Sequence, residues 1–99
     1  MKKIINVRNG QIALNVPEDV SELYVMLNNI SEKTMESARI ITKRNEKLVD
    51  QKLREYSAAE FEKFFGKGSC KKVFGTELPS YKAFAEFSEK ICNLVKTWI

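Results

Sequence analysis

Few residues of this chain could do chemistry. It has no histidine, and its two cysteines, Cys70 and Cys92, are separated by 21 intervening residues. That removes a Ser-His triad, a histidine general base and any His-containing zinc site. Two lone thiols make neither a CxxC pair nor the four ligands of a structural zinc, so neither metal nor cofactor is expected. Lys71 and Lys72 follow Cys70 at a candidate helix start, a setting that lowers a thiol pKa, yet no base is at hand to complete a nucleophile. The acids Glu60/Glu62 and Glu86/Glu89 could share proton-transfer work only in a common cleft, and their spacing is that of solvent-facing helix positions. The chain is expected not to be an enzyme.

The segment from Phe61 to Gly75, FEKFFGKGSCKKVFG, is the most distinctive. Glycine-rich turns expose backbone amides to phosphate, and lysines add charge. The spacing departs from the Walker pattern, and no β-strand precedes it, so two helix ends joined by a tight turn explain it better. Lys63, Lys67, Lys71 and Lys72 make one basic patch here, and Lys43, Arg44, Lys47, Lys52 and Arg54 make another upstream. Such clusters attract phosphate backbones. Glu46, Asp50, Glu60 and Glu62 are interspersed, however, and the net charge is only +4. Mixed charge of this kind reads as a solvated helix face.

The elements that must position these residues can be read from turn and periodicity signals. A 99-residue chain with 43% hydrophobic residues makes one domain, 1–99. Asn9-Gly10 lies between two β-rich runs and predicts a type I′ hairpin over residues 3–16, with Val7 opposite Ile12 and Ile5 opposite Leu14. Ile5, Val7, Ile12, Leu14 and Val16 then share one face, which must be covered because an isolated hairpin is marginal in water. From Glu18 to Phe65 there is no Gly or Pro, and apolar residues recur at helical spacing. This predicts one long helix over 18–56, or two joined by a bend. Ser57-Ala-Ala-Glu60 matches a capping box and predicts a short helix 58–65 ending at Gly66. A second short helix is expected at 69–74, stopped by Gly75. Pro79 and Ser80 open a terminal helix over 79–98. The fold class expected is α+β, mostly α, with the hairpin packed on three or four helices.

Charge and aromatic residues are unevenly placed. Residues 18–36 hold five acids and one lysine, net −4, whereas residues 39–54 hold six cations and two acids, net +4. That order complements a helix dipole. Nine of the ten aromatics lie between Tyr56 and Trp98. Phe64 and Phe65 differ by about 100° around a helix axis, so Phe61, Phe64 and Phe65 do not share one narrow stripe. Trp98 and Ile99 put large apolar groups at a chain end, where fraying discourages them. Together these features predict apolar surface beyond what a small core needs, and such patches mark protein contacts. The expected contact residues are Phe61, Phe64, Phe65, Phe74, Phe84, Phe87 and Trp98. No membrane-spanning run is present, no signal peptide is expected, and reduced thiols suit a cytoplasm.

A β-rich start, a long Gly/Pro-free helical middle, the turn Gly66-Lys-Gly68-Ser-Cys-Lys-Lys-Val-Phe74-Gly75 and a proline-led helix with spaced phenylalanines resemble one group of proteins. These are the small tail assembly chaperones of long-tailed phages and prophages of Gram-positive bacteria. The resemblance implies a non-enzymatic protein of the bacterial host cytoplasm that binds the helical, apolar tape measure protein during tail morphogenesis, with possible self-association. It implies that Phe65, Gly66, Gly68, Val73, Phe74 and Gly75 form a structural turn beside the binding surface. Two rival readings are a small phage-encoded inhibitor or regulator of a host protein, and a weak nucleic-acid-binding protein.

Overall fold

The computed structural model describes residues 1–98, and Ile99 lies outside the described residues. Six elements follow in order: β1 (Lys2–Val7), β2 (Gly10–Asn15), α1 (Val20–Ile40), α2 (Glu46–Phe65), α3 (Ser69–Phe74) and α4 (Tyr81–Trp98). The hairpin packs on the helices, and the fold is α+β and mostly helical, as its patterning predicts.

The apolar face of the hairpin is the expected one. Ile5, Ile12, Leu14 and Val16 are buried and Val7 half-buried. The register is not. Ile5 pairs with Ile12 and Val7 with Gly10, so the turn residues are Arg8 and Asn9. A slip of two residues keeps every side chain on its face, whereas a slip of one would invert the face. The cause is tertiary. A type I′ turn needs positive φ at Asn9, but among the described residues only glycines take positive φ. The Asn9 backbone N–H instead donates to the Lys72 carbonyl at 2.9 Å, and its side-chain amide to the Lys71 carbonyl at 3.2 Å. Both carbonyls lie in the last turn of α3, where that of Lys71 also accepts the Gly75 N–H at 2.9 Å, and the two bonds from Asn9 fix the hairpin tip there. Gly75, with φ +77°, seals the same junction, because a Cβ on it would sit 3.3 Å from the Arg8 guanidinium.

The long helical stretch is two antiparallel helices, and the break lies at 41–45 rather than at Ser57. Thr42 and Asn45 satisfy each other: the Asn45 N–H donates to Thr42 Oγ1 and the Thr42 N–H to Asn45 Oδ1. The pair of bonds resembles a capping box with Asn in place of Glu, but it closes the turn before α2, whose N-cap Asn45 makes no side-chain cap bond. The Asn45 side chain also donates to the Ile40 carbonyl at 2.9 Å, closing the end of α1. Ser57, the expected cap, lies inside α2, buried, with its hydroxyl unpartnered. Thr42→Ala should therefore lower stability by about 1 kcal/mol, while Ser57→Ala should leave it unchanged or raise it by up to about 1 kcal/mol. Chemical denaturation of the two variants checks this, since a cap at Ser57 would reverse the order.

The remaining boundaries agree with expectation. Gly66 follows α2, Gly68 and Gly75 flank α3, and α4 is capped by Ser80, whose Oγ accepts the Ala83 N–H at 3.4 Å. Pro79 precedes α4 and is fully buried. The core joins the hairpin face to Val20, Leu23, Met26 and Ile30 of α1, Phe61 of α2, Cys70 of α3, and Phe84, Phe87, Ile91 and Val95 of α4. Val49 and Leu53 are buried apart from it, toward the free end of the α1–α2 hairpin. That prong makes the molecule elongated, at 47 × 24 × 19 Å.

Candidate functional site

The phenylalanines expected as a contact surface are largely core. Phe61, Phe84 and Phe87 are 0%, 2% and 9% exposed, while Phe64, Phe65, Phe74 and Trp98 are half-buried. Phe61 is the hub, with ring centroids of Phe65, Phe74, Phe84 and Phe87 at 4.8, 5.3, 5.9 and 5.2 Å. Two phenylalanines 100° apart on a helix exceed one stripe only if one side of that helix is covered. Here α3 and α4 enclose the end of α2 from different directions, so both sides are used. Trp98 stands away from this cluster, beside the hairpin, with Lys3 Nζ 5.9 Å above its ring.

What remains open are grooves on either side of α4. Its residues Phe84, Phe87, Ile91 and Val95 point into the core at three- and four-residue steps, and the positions beside that stripe border the grooves. The larger groove, of about 550 Å³, lies between α4 and the hairpin with α3. Ile5, Val7, Val73, Phe74, Phe87 and Leu94 supply its apolar floor, and Arg8, Glu86 and Lys90 its charged rim. The second, of about 390 Å³, separates α4 from α1 and is lined by Leu27, Ile30, Met35, Tyr81, Phe84 and Cys92 among others. Phe74, Phe84 and Phe87 thus border open space without being free surface. Val7, Val73 and Leu94 are the groove residues that periodicity assigns simply to the core or the turn. Their signal is a position at the edge of an apolar stripe, and one chain's spacing does not separate such an edge from the interior.

The candidate chemical groups are dispersed. Glu86 borders one groove and Glu89 the other. Glu60 receives the Asn29 side-chain amide at 3.5 Å, and Glu62 lies beside Cys70. Neither acid pair shares a cleft. Among the described residues no group of three or more His, Cys, Asp or Glu could hold a metal ion. Cys70 and Cys92 are both free thiols. The adjoining lysines do not activate Cys70. It is fully buried, with its thiol directed at the Ala58 carbonyl at 3.8 Å, and burial together with the Glu62 carboxylate pushes its pKa up to about 12.

The chain matches no family model, no characterised protein and no solved structure.

The two basic patches are also separate. Lys43, Arg44 and Lys47 lie at the free end of the α1–α2 prong, and Lys63, Lys67, Lys71 and Lys72 at the other end of α2. Lys52 and Arg54 lie between them on α2, with Arg54 held to Asp50 at 2.8 Å and about 13 Å of helix axis separating it from Lys63. Lys72 is in part structural, its stem lying against Gly10. No described helix is long and apolar enough to cross a membrane.

Proposed function

We propose that this protein is a non-enzymatic binding protein that holds an apolar helix of a client in the groove between α4 and the hairpin, and that it acts as a phage tail assembly chaperone for a tape measure protein. The observation that carries the reading is that groove. It is open, apolar along its floor and charged at its rim, the arrangement used to bind the apolar face of an amphipathic helix. Its α4 border, Ala83 to Leu94, rises about 16 Å, the length of three helical turns and enough for anchors at i, i+4 and i+7. The sequence resemblance supplies the identity of the client. Phe64, Phe65 and Trp98 do not line this groove; Phe65 packs behind Phe87, with ring centroids 6.0 Å apart.

Co-expression tests the reading. The soluble yield of a tape measure protein should rise when this chain is present. Val7→Glu with Leu94→Glu should abolish the rise, because each charged side chain removes an apolar anchor worth about 1–3 kcal/mol. Both positions are half-buried at the groove edge, so the variant's thermal melt reports whether the fold is kept. A client equally soluble with and without this chain defeats the reading.

A second reading rests on the charge of the prong, where Lys43, Arg44 and Lys47 are all exposed. An inhibitor or nucleic-acid-binding protein acting through this end would lose its activity on reversal of those charges. A chaperone using the groove would keep client binding. Binding to nucleic acid would also weaken steeply with salt.

A further inference from the structure

The α1–α2 prong carries two surfaces of opposite character. At its free end Ile40, Ile41 and Leu48 are 59%, 44% and 58% exposed, interspersed with exposed Arg39, Lys43, Arg44 and Lys47. Ile40 ends α1, Ile41 follows it in the connection and Leu48 lies in the first turn of α2, and none of these three exposed aliphatic side chains belongs to the core. Nearer the hairpin, a groove of about 340 Å³ runs between α1 and α2. Val25, Met26 and Phe64 are its apolar lining, Glu22 and Glu60 its acids, and Lys63 its one cation. Val25 is 60% exposed. This end belongs to the net −4 stretch and the tip to the net +4 stretch.

We infer that these two surfaces are partners, and that the tip of one copy docks into the α1–α2 groove of a second copy. The fold forbids docking within one molecule, because Val25 and Ile40 are held on one helix about 22 Å apart along its axis. In the complex the aliphatic tip covers Val25 and the half-buried Phe64, while Lys43, Arg44 and Lys47 face Glu22 and Glu60. Phosphate groups could neutralise the same cations, but they offer nothing to Ile40, Ile41 and Leu48; the groove satisfies both components. Because the joined surfaces differ, the contact is heterologous and each added copy leaves one tip and one groove open, so association extends beyond a dimer. Its surface is separate from the α4 groove, and it stands or falls independently of what that groove binds.

Sedimentation velocity of the full chain tests the inference. The weight-average mass should rise above 11.4 kDa with concentration at roughly 0.05 M salt and fall back toward it at roughly 0.5 M, where screening is several-fold shorter in range. The tip variant Lys43→Glu/Arg44→Glu/Lys47→Glu and the groove variant Glu22→Lys/Glu60→Lys should each stay monomeric alone. Mixed in equal amounts they should associate again, since each then offers the other a complementary junction. Leu48→Ser, which changes no charge, should weaken association roughly tenfold. A wild-type chain that remains monomeric at low salt overturns the inference, including the case in which the tip binds DNA or anionic vesicles instead. Variants that associate like wild type, or whose mixture stays monomeric, overturn it equally.

Discussion

Phe61→Ala should destabilise the protein by about 3–5 kcal/mol, the range for removing a fully buried aromatic ring, and should leave it largely unfolded at physiological temperature. The side chain has no exposed area and touches four other rings. Its loss opens a cavity where α2, α3 and α4 meet, and none of the four neighbours can collapse into it without leaving its own contacts. Phe64→Ala, at a half-buried position, should cost clearly less. Urea denaturation of the two variants measures the difference. Equal and small effects would mean that Phe61 belongs to a contact surface and not to the core.

The second large effect is a dependence on alkaline pH centred on Cys70. Its thiol is held protonated, with the pKa raised from 9.0 to about 12 by burial first and then by the nearby Glu62 carboxylate and its hydrogen bond. In the unfolded chain the thiol ionises at its ordinary value. Below about pH 9 both states carry the proton and the contribution to stability is fully present. Between pH 9 and 12 only the unfolded state releases it, so stability falls by about 1.4 kcal/mol per pH unit, reaching about 4 kcal/mol. Other ionisable groups contribute alike to a native chain and to a variant that changes only this thiol. The quantity to measure is therefore the stability gap between the native chain and Cys70→Ala, in which those contributions cancel. The gap should shrink steadily from pH 9 upward, and a constant gap would refute the burial of a neutral thiol. In the folded protein at pH 8, a thiol reagent should modify the half-buried Cys92 and spare Cys70.

Both effects bear on function in the same way. Under the proposed binding role, the buried thiol and the hub of rings belong to the packed core that shapes the groove a client helix would enter. The groove between α4 and the hairpin exists because α4 buries one stripe and leaves its flanking positions, Ala83, Glu86, Lys90 and Leu94, beside the hairpin. A client helix would then meet a preformed apolar floor, which reduces the ordering cost of binding.

Much of the architecture is legible residue by residue. Alternation in β1 and β2 picks out Ile5, Ile12, Leu14 and Val16 as the buried face, and Gly66 and Gly75 mark helix ends where the structure has them. Ser80 caps α4 as expected. These are local properties, decided by side-chain period and by the conformations that glycine and serine favour. The misreadings have a common origin. Asn9-Gly10 favours its own turn in isolation, yet two carbonyls of α3 bind Asn9 and move the register by two. Ser57-Ala-Ala-Glu60 has a capping signature, but the chain turns at 41–45 instead, where Thr42 and Asn45 bond each other, because breaking there lets two helices of nearly equal length bury their faces against each other.

The concentration of aromatics after residue 55 shows the same division. The sequence by itself determined that this half of the chain is rich in apolar material and that it is divided by glycines into short segments. Only the tertiary structure decided where that material faces. Wrapping α3 and α4 around the end of α2 enclosed Phe61 and buried Phe84 and Phe87 at the inner edges of the grooves, and it left exposed aliphatic residues at the far end of the prong instead. Burial depends on what lies across from a side chain, and for these rings the opposing residues are separated in sequence by helix-length intervals that periodicity does not relate.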